Sequence, residues 1–345
     1  MLFLQNMDEL KNLDEEQENK RTIEYEVTTD STIVGEFEYG PYYFTIWEFL
    51  PVQHEGQHRK LCLRITEKTY DIGDFHFNGK DWLYHGGGIA EELISLSSLF
   101  LRRRLILGPK VRWDDKPRLL KDSPEWIDKP VVKGKSSLSE IPTLLHLVGK
   151  LDISYHQRFI LATRLYHQAL LLIENQPDLA YLNLISAIET MSNDYQVDEV
   201  QLSEINEKLD NLINKVEDER LQKGIKQTIL KKEKFIRRRF MKFTLDNTTD
   251  DFWENETRPK IGKIEKDDLP KLLKRIYDQR SDTLHGGKPF PSYIFHSPLK
   301  EGEIPFAKSI SVGSRKWDED EYIPYPHFFE RLVNHVLITF LKRNQ

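Results

Sequence analysis

The sequence predicts a chain in two parts. An α+β domain, an antiparallel sheet with a helix packed on it, occupies residues 1–149, and an all-α helical bundle occupies residues 150–345. Three observations carry this reading. Between 22 and 77, β-branched and aromatic residues alternate with period two. From about 143 onward the apolar residues recur at helical spacing. Between these stretches, 105–142 is rich in Pro, Gly, Asp and Lys, which predicts irregular structure and a domain boundary.

The first part is read element by element. Residues 6–21 are polar and acidic, which predicts a loose arm or a short surface helix. "TIEYEV", "TIVGEFEY", "YYFTIWEFL", "KLCLRIT" and "TYDIGDFHF" are candidate strands with turn residues between them. "IAEELISLSSLFLRRR", after "HGGG" at 85–88, reads as the helix on that sheet. Its closing arginines, 102–104, complement the negative end of the helix dipole.

About six helices are expected in the second part. "YHQRFILATRLYHQALLLIE" is one and "PDLAYLNLISAIETMS" a second, with Pro177 suited to a first turn. "SEINEKLDNLINKV" follows, then a longer helix carrying Leu221, Ile225, Ile229, Ile236 and Phe240. "DDLPKLLKRIYDQRSDTLH" opens on acids and a proline and stops at two glycines. A Pro/Gly-rich excursion covers 286–326, and "HFFERLVNHVLITFLKR" forms an amphipathic last helix.

Composition narrows the function. With 345 residues, 31% charged and 39% hydrophobic, the chain has a globular composition. A net charge of −6 argues against a generally basic nucleic-acid coat, so any nucleic-acid site is a local patch. Cys62 is the single cysteine, which excludes an intramolecular disulfide and a cysteine metal cluster. No apolar run approaches the roughly 18 residues of a membrane span, and the start is unlike a signal peptide. A cytoplasmic protein without membrane association is expected.

Two motifs compete for the chemistry. "HEGQH", His54–His58, matches the zinc-protease pattern H-E-x-x-H, which needs a helix to bring both histidines to one face. Here strands flank it, and Pro51 and Gly56 suit a hairpin tip. Arg59 and Lys60 also repel a cation, so no metal is expected. "GGG" at 86–88 lacks the Lys-Ser/Thr of a P-loop and reads as a turn.

The second motif is "RSDTLHGG", Arg280–Gly287. Leu269, Leu273 and Ile276 form an apolar stripe, and Arg280 is its next member. A buried arginine needs a partner, and Glu189 points inward on its helix behind Leu182 and Ile185. The plain alternative is an inter-helix ion pair without chemistry. His285 lies on the last turn, where the helix dipole favours imidazolium and acid–base work near neutral pH. Five positions place Arg280 and His285 about 140° apart on a helix. They converge if the last turn unwinds at Gly286, or if a second copy of the chain supplies half of the site.

"RSDTLHGG" has the R-x4-H form of the HEPN superfamily of helical ribonuclease-like domains, and "RFILATRLYHQALLLIENQPDLAYLNLISAIETMSND" resembles the first two helices of ApeA-like HEPN domains. The resemblance covers roughly 150–345 well and 1–149 loosely, and it extends to bacterial anti-phage and abortive-infection proteins with a β-rich amino-terminal region. It implies metal- and cofactor-free RNA cleavage by 2′-hydroxyl attack, leaving a 2′,3′-cyclic phosphate and a 5′-hydroxyl. His285 would be the general base or acid, and Arg280 would hold the phosphate. Two domains face to face would form a homodimer, under control of a phage-derived or antitoxin regulator. One departure is Ser281, where the family often carries a larger polar residue; Asp282 is the candidate substitute. HEPN modules that only bind RNA or a partner protein also exist.

The main basic run is "KKEKFIRRRFMK", containing Lys231, Lys232, Lys234, Arg237, Arg238, Arg239 and Lys242. On a helix, three consecutive arginines fan over about 200°, so at least one faces solvent. The run is the candidate RNA grip; its plain alternative is a solvated charged face.

Overall fold

The computed structural model describes residues 1–13, 20–46, 59–68, 87–113, 116–117, 135–197, 202–205, 207–232, 235–254, 258–259, 261–295, 302–312 and 315–345. "HEGQH", "TYDIGDFHF" and Gly86 lie outside them. No helix among the described residues is long and apolar enough to cross a membrane.

The amino-terminal half is built on a six-stranded antiparallel sheet. After helix α1 (Leu2–Lys11) come β1 (Lys20–Thr29), β2 (Thr32–Val34), β3 (Phe37–Tyr39), β4 (Tyr42–Ile46) and β5 (Arg59–Lys68). Helix α2 (Ile89–Leu101) precedes β6 (Ile106–Trp113), β7 (Lys116–Pro117) and β8 (Lys135–Ser137). The strand order is β3-β4-β5-β1-β6-β7, and β2 pairs with β8 in a separate parallel couple. Alternation sends Ile23 and Val27 of β1 and Leu61, Leu63 and Ile65 of β5 into the core. On the other face Glu24 pairs with Arg64 at 2.8 Å, directly opposite in the register.

One expectation is decided and one corrected in this half. Of the two readings of the amino-terminal segment, a loose arm or a short surface helix, the described residues form the helix: α1 begins in the apolar patch, with Phe3 and Asn6 buried. The Asn6 amide donates to the Tyr42 hydroxyl (2.9 Å) and the Thr66 carbonyl (3.0 Å), and Tyr42 donates to the Phe3 carbonyl (2.7 Å). The stretch expected to be irregular holds β6, which pairs with β1 in the sheet.

The carboxy-terminal half is mostly helical. Helices α3 (Ile141–Lys150), α4 (Ile153–Leu172) and α5 (Pro177–Ser192) are followed by the short α6 (Leu202–Ile205) and α7 (Glu207–Ile213). Then come α8 (Glu219–Lys232), α9 (Ile236–Asp246) and α10 (Leu269–Gly286). A hairpin of β9 (Ser309–Val312) and β10 (Arg315–Asp318) leads into α11 (Pro326–Arg343). The long helix expected through Ile229 and Phe240 is two helices: α8 closes at Lys232, and Phe235, in left-handed backbone (φ 46), caps the start of α9. The excursion after α10 is pinned by rings, with Tyr293 edge-on to both Trp317 and Tyr322.

The core does not stop at 149/150. One cluster of buried residues runs from Phe3 through α2, α4 and α5 to Leu341. The arginines after α2 join the halves. Arg102 donates to Glu330 of α11 from Nε (3.0 Å) and Nη2 (2.5 Å), and Glu330 is 0% exposed. Arg104 meets Asp30 at 3.5 Å and Glu174 at 2.9 Å. Asn334 donates to the Leu99 carbonyl (2.7 Å), and the His167 Nε2 lies 2.6 Å from the Leu105 carbonyl. These arginines therefore serve side-chain pairing across the halves beyond the dipole role expected of them.

Candidate active site

Helix α10 carries the R-x4-H motif. Pro270 fits its first turn, and Leu269, Leu272, Leu273, Ile276 and Tyr277 bury one face. The helix stays regular through Gly286, and Gly287 closes it in left-handed backbone (φ 63). Its N–H reaches the Thr283 carbonyl at 3.2 Å, and the Lys288 N–H reaches that of Asp282 at 3.1 Å. The unwinding that would have brought Arg280 and His285 together within one chain does not occur. They stay about 140° apart on the helix.

Arg280 lies where its stripe predicts. Its Nη2 donates to Glu189 Oε2 of α5 at 3.2 Å, with the two side chains 22% and 16% exposed. The guanidinium sits 5.7 Å from the centre of the Tyr277 ring. Burial first, then the adjacent Glu189 carboxylate, push the Tyr277 phenol up to about 12, so it stays protonated at neutral pH. Toward the end of α5 Glu189 meets Arg280, while near its start Tyr181 lies against Phe290, just past the end of α10 (ring centres 5.5 Å apart).

The outer end of α10 is different. His285 is exposed and makes no hydrogen bond or ion pair among the described residues. Asp282 is exposed too and pairs with Lys288 at 2.8 Å, on the His285 side and away from Arg280. Leu284, four residues after Arg280 and so on the same side, is 53% exposed. The core stripe thus runs out into solvent at the motif.

The basic run is less free than its composition suggests. Arg237 pairs with Asp278 of α10 at 3.1 Å, Arg239 donates to the Asn193 carbonyl, and Lys242 pairs with Asp246 at 3.1 Å. Arg238 lies on α9 between them, and Lys231 and Lys232 close α8; Lys234 lies outside the described residues. Arg237 and Arg239 therefore brace α9 against its neighbours, while Lys242 pairs within α9. Sequence reasoning missed Tyr277 and Asp278 as members of the site. Tyr277 had a signal, because it precedes Arg280 by three on the buried side of the helix. No group of three or more potential metal-ligating side chains occurs among the described residues.

No family model, curated protein or solved structure matches this chain. The functional reading therefore rests on the residues themselves.

Proposed function

We propose that this chain is a HEPN-type, metal-independent endoribonuclease that acts as a homodimer, with defence against phage by abortive infection as its setting in the cytoplasm. One observation carries the reading. A guanidinium oriented by a carboxylate and an imidazole unengaged among the described residues share the end of one helix, on different sides of it. A second copy resolves the mismatch. Arg280 of one protomer and the partner's His285 then line one cleft, and the exposed Leu284 gives that contact an apolar centre.

In this mechanism the Arg280 fork holds the non-bridging oxygens of the scissile phosphate and stabilises the charge that builds on them. Glu189 fixes the fork's direction. A neutral His285 takes the proton from the 2′-hydroxyl as that oxygen forms its bond to phosphorus. The bond from phosphorus to the 5′-oxygen breaks, and the leaving oxygen takes a proton from an imidazolium. The products are a 2′,3′-cyclic phosphate and a 5′-hydroxyl. The sheet-bearing half senses a phage-derived or antitoxin regulator.

A second reading has its own support. Arg280 already has its counter-charge in Glu189, as a purely structural pair would. In that case the chain is a silent HEPN module that binds RNA or a protein.

The deciding experiment is cleavage of an end-labelled structured RNA in EDTA by wild type, Arg280→Ala and His285→Ala. Cleavage by wild type alone, leaving cyclic phosphate ends, is expected. Equal cleavage by all three refutes the assignment. Silence of all three, together with wild-type expression that causes no toxicity, favours the binding module.

A further inference from the structure

The outer face of α10 carries a row of cations that the motif does not explain. At about 100° per residue, Lys271, Lys274, Asp278 and His285 fall within a sector about 60° wide. Lys271 and Lys274 are exposed, and neither makes an ion pair among the described residues. Asp278 interrupts the row with a negative charge, but Arg237 reaches over from α9 to cover it at 3.1 Å. Both members of that pair are half exposed, so the guanidinium sits on the surface of the stripe. Of the other acids near the row, Asp282, about 60° round from His285, is paired with Lys288, Asp267 precedes Lys271 by four at the amino-terminal end, and Glu319–Glu321 lie beside Arg275. Arg275, about 40° outside the sector, is occupied by the Glu319 and Tyr322 carbonyls at 3.3 and 3.2 Å.

We infer that the outer face of α10 is a track for one strand of RNA, with Lys271, Lys274 and Arg237 on successive phosphates and the strand leading to His285. The inference rests on the ribonuclease reading for its direction, and it joins Lys271 and Lys274, which lie outside the basic run, to Arg237 of that run. From Lys271 to His285 the helix rises about 21 Å, the stacked rise of about six nucleotides at ~3.4 Å each. A single row of cations on one narrow face suits one backbone. A duplex would call for two rows flanking a groove. Nothing on the track reads bases, so binding is governed by charge and is steeply salt-dependent.

The test uses the whole chain and a fluorescent single-stranded 2′-O-methyl RNA, which lacks the attacking hydroxyl and stays intact. Anisotropy titrations at several salt concentrations compare wild type with Lys271→Ala/Lys274→Ala, and with Lys150→Ala on α3 as a control. Each lost phosphate contact removes about 0.7 from the slope of log affinity against log salt. The double variant should therefore lose about 1.4 in slope and bind about tenfold more weakly at low salt, while Lys150→Ala matches wild type. An unchanged slope in the double variant overturns the track and leaves the EDTA cleavage result standing. An absence of binding by wild type also overturns it. If a poly-glutamate peptide shows the same lysine dependence and the RNA does not, the stripe serves an acidic protein and the proposal fails. A lost slope in a chain that cleaves nothing keeps the track and rejects the nuclease.

Discussion

Replacing Glu330 by glutamine tests how the two halves of the chain are joined. The substitution keeps the side-chain volume and removes the charge. Glu330 is fully buried and accepts from Arg102 Nε at 3.0 Å and Nη2 at 2.5 Å, and from the Tyr166 hydroxyl. Burial disfavours charge on Arg102, but the Glu330 carboxylate more than offsets this and holds the guanidinium charged. Burial and then the same carboxylate push the Tyr166 phenol far up, so it remains a donor. Removing one partner of a buried pair costs about 3–5 kcal/mol. The Arg102 side chain is 31% exposed, which lets water in and sets the expectation at about 3 kcal/mol. Unfolding entropy near 2.1 cal/mol/K per residue gives about 0.7 kcal/mol/K for this chain, so Tm should fall by about 4 °C. Urea unfolding followed by circular dichroism measures the loss directly. The double variant Arg102→Met/Glu330→Leu removes both charges and should recover more than half of it. A Glu330→Gln protein within about 0.5 kcal/mol of wild type, a change typical of surface sites, would refute the reasoning.

Other outcomes follow from the same structure. Phe3→Ala should cost about 3–5 kcal/mol in urea midpoint measurements, because a large ring leaves the core; a loose amino-terminal arm would lose almost nothing. Glu189→Gln should lower RNA cleavage by about 10²-fold, since a fork that has lost its carboxylate no longer points at the phosphate. Unchanged cleavage with a stability loss of about 1 kcal/mol would make the pair structural. Burial lowers the folded-state pKa of His156, His167, His327 and His335. The unfolded chain therefore binds more protons than the folded one below about pH 6.5. The stability these histidines contribute is complete above that value and declines as pH falls from about 7 toward 5. For His335 the bond at risk is the one it accepts at Nε2 from the Thr249 N–H (3.2 Å). Urea midpoints that stay flat or rise over this range would contradict the burial of these rings as neutral species.

Helices α5 and α10 were legible because each buries one stripe behind a proline in its first turn, and α10 stops on a glycine. The partner of Arg280 was legible for the same reason: two inward stripes each carried one charge. Strand β6 was hidden by its own Gly108 and Pro109, which read as loop residues. In the sheet they sit where the pairing of β6 with β1 shifts register, the place where a strand tolerates a residue without an N–H. A Cβ on Gly108 would come within 3.0 Å of the Glu26 carbonyl, so a close approach of two strands calls for the glycine that disguised one of them. The pairs Arg237–Asp278 and Arg239–Asn193 were not legible. They depend on the left-handed turn at Phe235, and an isolated phenylalanine in a basic run gives no sign of positive φ. Helix α1 was legible only as one of two readings, because its buried residues, Phe3 and Asn6, are too few to set a period.

The continuous core has a consequence for how such a protein can be built and rebuilt. A chain severed at 149 would leave Glu330 facing the gap where Arg102 was, and His167 and Asn334 without the carbonyls of Leu105 and Leu99. The helical half is therefore not a cassette to be moved between amino-terminal domains by recombination at that joint. Divergence has to proceed by remodelling surfaces that leave α2 and α4 in contact, such as the outer face of the sheet with its Glu24–Arg64 pair. The same coupling ties α11 to the end of α2 twice over, through the buried Glu330 carboxylate and the Asn334 amide, so that displacing one helix displaces the other.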